Sequence, residues 1–160
     1  MHAKTAVASI FLCIAMDIAL SPAKAAPPTD ACALLTQAQV SSVLGTSVEA
    51  GQRLAPSQPS LCAWGKAFGK RVVLSIYTQM GSMTPVQRFN NAKNTPVKGI
   101  IKTPVSGIGD DALYMTTPGL GTGLFFRKGS AAFDLRVYGF PLDQLKEKEK
   151  TLALDILGKL

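Results

Sequence analysis

The chain has 160 residues, with 17 Lys and Arg, 10 Asp and Glu and one His, for a formal net charge of +7. That length suits one domain with a core of its own, and 47% hydrophobic residues exclude a disordered polymer. The only histidine is His2 and the three cysteines are Cys13, Cys32 and Cys62, so residues beyond Cys13 lack the ligands of a zinc site and the histidine base of a hydrolase triad.

Residues 1–25 have the layout of a secretory signal peptide. Lys4 gives a basic start, an apolar run extends from Ala6 to Leu20, and Ala23 and Ala25 are small residues placed for cleavage before Ala26. Asp17 is an unfavourable charge within that run. Cys13 lies inside the run behind Leu12, and Cys32 lies well past it, so neither is placed for lipidation. No second apolar stretch of spanning length follows. A periplasmic or secreted product is expected, with one positive charge fewer once Lys4, Asp17 and Lys24 are gone.

Residues 26–35 read as an N-terminal leader, and residues 36–160 as a single α+β domain. Thr36 and Gln39 have the spacing of a capping box, Leu35, Val40, Val43 and Leu44 form one stripe, and Gly45 stops a helix over about 37–44. Prolines, serines and glutamines over 46–60 predict a strand fragment and a loop. Residues 61–65 predict a strand carrying Cys62. Val72, Leu74 and Ile76 alternate with Val73, Ser75 and Tyr77, the clearest strand in the chain. Thr84 and Pro85 open a second helix with Phe89 inward, ended by Pro96.

Strand-like pieces and turns follow. Residues 105–110 predict a turn and 112–116 a strand. Residues 123–127 and 131–138 predict a hairpin, with Phe133, Leu135 and Val137 on one face and Asp134, Arg136 and Tyr138 on the other. Pro141 starts the longest helix, to about Leu157, with Leu142, Leu145, Leu152 and Ile156 inward and the run 146–150, Lys-Glu-Lys-Glu-Lys, in water. Hairpin-linked strands with intervening helices predict an α+β fold, a single antiparallel sheet with packed helices.

Two cysteines in an exported chain most simply form one disulfide. A Cys32–Cys62 bond closes a loop of about 30 residues and contributes roughly 3–4 kcal/mol on the chain-entropy model. Two buried free thiols are the alternative.

The segments Asp30-Ala31-Cys32-Ala33-Leu34-Leu35-Thr36, Leu44-Gly45, Cys62-Ala63-Trp64, Gly107-Ile108-Gly109-Asp110-Asp111-Ala112 and Arg127-Lys128-Gly129 together resemble a set of small exported bacterial domains of unknown function, many of them lipoproteins. The resemblance implies a cysteine pair and an antiparallel sheet flanked by helices, similar to the PsbP-like fold. It implies no catalytic residues, and the chain departs from the lipoprotein members by lacking a lipidated cysteine.

Few constellations carry chemistry. Asp110-Asp111 is the only adjacent acid pair, and neighbours on an extended segment point to opposite faces. Gly119-Leu120-Gly121-Thr122-Gly123 resembles part of a phosphate loop, but a strand follows where a helix is required. No metal-ligand set and no cofactor motif is present. Arg71, Arg127, Lys128, Arg136 and Tyr138 are the candidate binding residues of a basic, aromatic sheet face, with Trp64 read as core beside the disulfide. Export argues against nucleic acid as the ligand. The expected function is a non-catalytic binding or interaction module of the cell envelope, contacting an envelope protein or an anionic envelope component. The alternatives are an enzyme with a carboxylate site near Asp110 and Asp111, or a structural accessory subunit.

Overall fold

The computed structural model describes residues 26–58 and 60–160; the expected signal peptide, 1–25, lies outside the described residues. Seven strands form one antiparallel sheet: β1 (Gln52–Arg53), β2 (Leu61–Gly65), β3 (Arg71–Ile76), β4 (Ile101–Val105), β5 (Asp111–Thr117), β6 (Gly121–Lys128) and β7 (Ala131–Tyr138). Their spatial order is β1-β2-β3-β7-β6-β5-β4, so β3 and β7 join two consecutive meanders. Helices α1 (Gln37–Leu44), α2 (Pro85–Asn94) and α3 (Leu142–Leu157) complete the fold, and the Cys32–Cys62 disulfide is formed. The α+β architecture expected from the sequence is the observed one.

Alternation decides which face is buried. Val72, Leu74 and Ile76 of β3, Phe133, Leu135 and Val137 of β7, and Leu124 and Phe126 of β6 point to one side, under α1 and α3. On the other side α2 covers part of the sheet, with Phe89 packed on Leu113, Phe125 and Ala132. Trp64 is buried, and Gly51 packs so close that a Cβ there would stand 2.6 Å from its ring and 2.7 Å from Cys62 Sγ. Only glycine fits that approach.

Both short helices start with complete capping boxes, Thr36 with Gln39 and Thr84 with Gln87. Their carboxyl ends are closed by lysines. Lys148 and Lys70 donate to Val43 O and Leu44 O at 2.6 and 3.3 Å, and Lys102 donates to Ala92 O, Lys93 O and Thr95 O. A cation suits this end of a helix, where carbonyls lack partners and the dipole is negative. Three of the chain's 17 Lys and Arg are therefore engaged with its own backbone at helix ends.

Four expectations are refined. Of the segment 26–35 read as a leader, Ala31, Leu34 and Leu35 are buried and belong to the core, drawn in by the disulfide beside them. Val105, expected in the 105–110 turn, instead ends the edge strand β4, where Pro104 is tolerated. Leu142, expected inward, begins α3 and is 42% exposed. Glu149, expected in water, is fully buried. No helix among the described residues is long and apolar enough to cross a membrane.

Candidate functional site

The five candidate binding residues separate into two groups at opposite ends of the sheet. Arg71 lies directly across from Tyr138 on neighbouring strands, and Arg136 shares their face two residues earlier on β7. Arg127 pairs with Ala132, four residues from Arg136 along β7, roughly 13 Å at strand spacing.

At the Arg127 end one carboxylate, Asp110, gathers both Arg127 and Lys128. Asp110 donates its N–H to Arg127 O at 2.9 Å, and its Oδ2 accepts the Gly129 N–H at 2.7 Å. Lys128 Nζ lies 3.3 Å from Oδ1 and Arg127 Nη1 3.6 Å from Oδ2. The Gly129 hydrogen bond, with Lys128 beside it, holds the Asp110 carboxyl below its usual range. Asp110 thus closes the β6–β7 turn. Asp111 turns away to Lys93 of α2 at 2.7 Å. The two carboxylates do not converge, and Arg127 and Lys128 are engaged by one of them. Among the described residues no three His, Cys, Asp or Glu side chains are grouped to hold a metal ion.

The Arg136 end is different. Leu124 pairs with Leu135, and counting outward brings Gly121 level with Tyr138, which pairs with Arg71. The turn after β2 (66–70), the turn after β5 (118–120) and the link into α3 (139–141) therefore share this end. Phe68 is completely exposed and Leu120 is 82% exposed. Tyr138 and Leu142 are partly exposed beside them. Lys66 and Arg71 have no carboxylate partner among the described residues. Lys70 and Lys148 stack over the Phe140 ring at 4.8 and 4.4 Å while capping α1. Asp143 and Glu147 of α3 stand beside Lys146.

At this same end the sheet pairing stops short. The β6–β7 ladder runs from Lys128↔Ala131 only as far as Leu124↔Leu135. Beyond it no further β6–β7 pairs form, and a cleft of about 530 Å³ lies at this end, bordered by Leu120, Thr122, Arg136, Val137, Tyr138 and Leu145. Tyr77 N–H donates to Ala132 O, so even-numbered residues of β7 bond to β3 and the odd-numbered Val137 directs its N–H toward β6. Glu149 of α3 takes that N–H instead: Oε1 accepts it at 3.1 Å. Oε2 is buried with no partner. Burial is the main force raising this carboxyl to about 8, opposed by the Val137 hydrogen bond; Asp134 adds to the rise, while Arg136 and Lys146 oppose it.

On the other side of the same gap Arg136 Nε bonds Asp134 Oδ1 at 3.1 Å. A Cβ on Gly123 would stand 3.1 Å from Arg136 Cγ and 3.3 Å from Asp134 Oδ1. Glycine on β6 lets the ion pair lie across the strand. Burial pushes the Asp134 carboxyl up, and Arg136 opposes that shift.

The sequence singled out Arg71, Arg136 and Tyr138, which the fold assembles, but missed Phe68, Leu120 and Glu149. Glu149 carried a signal: 145, 149, 152 and 156 share one helical stripe, and the other three are apolar. Comparison with protein-family models, curated proteins and solved structures finds no match to this chain.

Proposed function

We propose that this chain is a non-catalytic binding module of the cell envelope that docks on an anionic membrane surface through the open end of its sheet. The observation that carries this reading is the pairing of Phe68 and Leu120, both exposed at turn tips on that end, with the unpaired cations Lys66 and Arg71. Two large apolar side chains on turns at the same end of the sheet, with β7 between their hairpins, gain about 1.5–3 kcal/mol each from leaving water. A lysine or arginine near an anionic leaflet adds about 1 kcal/mol. Phospholipid satisfies both requirements, whereas an acidic polysaccharide offers nothing to Phe68. The disulfide and the resemblance to exported domains support an envelope location. An enzyme centred on Asp110 and Asp111 is less well supported, because Gly129, Lys128 and Lys93 already occupy those carboxylates.

Co-sedimentation with phosphatidylglycerol vesicles tests the reading. The wild type is expected to bind, weakening with salt. The double substitution Phe68→Ser, Leu120→Ser should cost roughly 3 kcal/mol, about a hundredfold in partitioning. Equal binding to neutral phosphatidylcholine vesicles, or no response to the double substitution, would sink the membrane reading and leave a partner protein as the occupant of this end.

A further inference from the structure

Three methionines lie among the described residues, and two of them, Met80 and Met83, stand opposite each other. Met80 N–H donates to Met83 O at 3.1 Å, and Met83 N–H donates to Met80 O at 3.0 Å. That double exchange is the hydrogen-bonded pair of an antiparallel hairpin, with Cα atoms about 5.5 Å apart and both side chains leaving from one face. Gly81 and Ser82 make the two-residue turn, and Gly81 supplies the positive φ, +58°, that such a turn needs. The backbone therefore holds the two side chains side by side.

Neither side chain serves the core. Met80 is 58% exposed, Met83 is partly buried, and neither joins an apolar cluster. Met115, the third methionine, packs instead on the group of Phe89, Leu113, Phe125 and Ala132. The hairpin is tied down on both sides. Before it, Arg88 donates to Thr78 O at 3.2 Å and stacks over the Tyr77 ring, 4.5 Å from its centre. After it, Thr84 caps α2 by accepting the Gln87 N–H. Asn91 of α2 donates to Met83 Sδ at 3.6 Å and steadies that thioether. Residues 78–87 contain no charged side chain.

We propose that the Met80–Met83 hairpin is a binding site for a soft monovalent cation, copper(I), held between the two Sδ atoms. A thioether is a neutral, polarizable donor, and copper(I) prefers soft sulfur ligands. A closed-shell monovalent ion accepts two donors in line, so a facing pair is a sufficient set. Calcium and magnesium want carboxylate and carbonyl oxygens, and zinc wants imidazole or thiolate; the hairpin side chains supply no carboxylate, imidazole or thiolate. Cys32 and Cys62 are bonded to each other, which leaves the exposed methionines as the accessible soft sulfur. The site is independent of membrane docking, because the hairpin follows the Ile76 end of β3 whereas Arg71 begins that strand at the open end.

Silver(I) is the probe, since it shares the charge and softness of copper(I) without changing oxidation state. The disulfide-bonded protein with isotope-labelled methionine methyls is titrated with silver nitrate in chloride-free buffer and followed by NMR. The Met80 and Met83 methyls are expected to move together and to saturate at one ion per chain, while Met115 stays in place. Zinc(II) is expected to move none of them, and copper(I) kept reduced with ascorbate to reproduce the silver pattern. Met80→Leu and Met83→Leu keep an apolar side chain at an exposed turn, and each should weaken silver binding by about tenfold or more. A shift of only one of the two methyls, an equal response from Met115, an equal response to zinc(II), or binding unchanged by either leucine variant would overturn the proposal. The variant Phe68→Ser, Leu120→Ser should keep the full silver response, so loss of vesicle binding there reports on docking alone.

Discussion

The two ends of the sheet use the same residue types to opposite effect. At the β6–β7 turn, Arg127 and Lys128 sit around Asp110, whose carboxylate also takes the Gly129 N–H. At the other end Lys66 and Arg71 lack such a partner, two apolar tips face water, and the β6–β7 pairing stops. Basic residues in sequence look alike; what distinguishes them is whether a carboxylate or a helix end reaches them first. The closed turn ties its cations to Asp110, and the open one leaves Lys66 and Arg71 without a carboxylate among the described residues.

The sharpest way to break this comparison is through glycines. Gly109, with φ of +56°, lies at the closed end, and a Cβ there would stand 2.2 Å from Arg127 O. Gly119 has a similarly positive φ of +76° in the open turn, but with nothing within 4 Å. Gly109→Ala is expected to cost at least ~3 kcal/mol, since a backbone clash adds to left-handed strain. Gly119→Ala should cost only ~1 kcal/mol. Equal losses in denaturant unfolding would mean the closed turn is as yielding as the open one.

Glu149 sharpens the comparison from the open end. Its folded carboxyl holds a proton up to about 8, whereas an ordinary glutamate releases it near 4.5. The contribution of this group is fully present below the unfolded value and is lost as pH rises toward the folded one. Stability should fall by at most about 1.4 kcal/mol per pH unit across that window and then level off. Glu149→Gln should remove this component and become the more stable protein above pH 8. Urea unfolding of both proteins at several pH values gives the difference directly, and parallel curves would contradict the account.

The smallest effect separates the charges themselves. Asp110→Asn should cost about 1 kcal/mol at neutral pH through the weakened turn. That loss should disappear as pH falls below 3.8, because the lowered carboxyl contributes stability only while ionised. Lys66→Gln with Arg71→Gln should stay within about 0.5 kcal/mol of wild type in thermal unfolding. A larger loss for the open-end pair would mean those cations are structural too.

Much of this architecture was legible in the chain. The alternation of Val72, Leu74 and Ile76 can bury only one face, and Thr36 and Thr84 each satisfy the amides of a helix start. The partners of individual charges were not legible, because Lys148 reaches Val43 across 105 residues and no local pattern encodes that contact. Phe68 carried no periodic signal, being a lone aromatic residue in a turn. Glu149 was hidden by its neighbours: a Lys-Glu-Lys-Glu-Lys run looks solvated as a block, although helical geometry turns one of its five members inward.

The strand order carries a consequence for how the molecule assembles. Each meander pairs strands that follow one another along the chain, so β1–β3 and β4–β7 are built almost entirely from short-range pairings. One seam, β3 against β7, joins Arg71 to Tyr138 and Ile76 to Phe133 and alone demands a long loop closure within the sheet. Loop closure is the slow, entropically expensive part of making a sheet. The Cys32–Cys62 bond lies wholly on the first side of that seam. It therefore restrains one half of the chain and leaves the seam between the halves of the sheet to the apolar strip of Val72, Leu74, Ile76, Phe133, Leu135 and Val137.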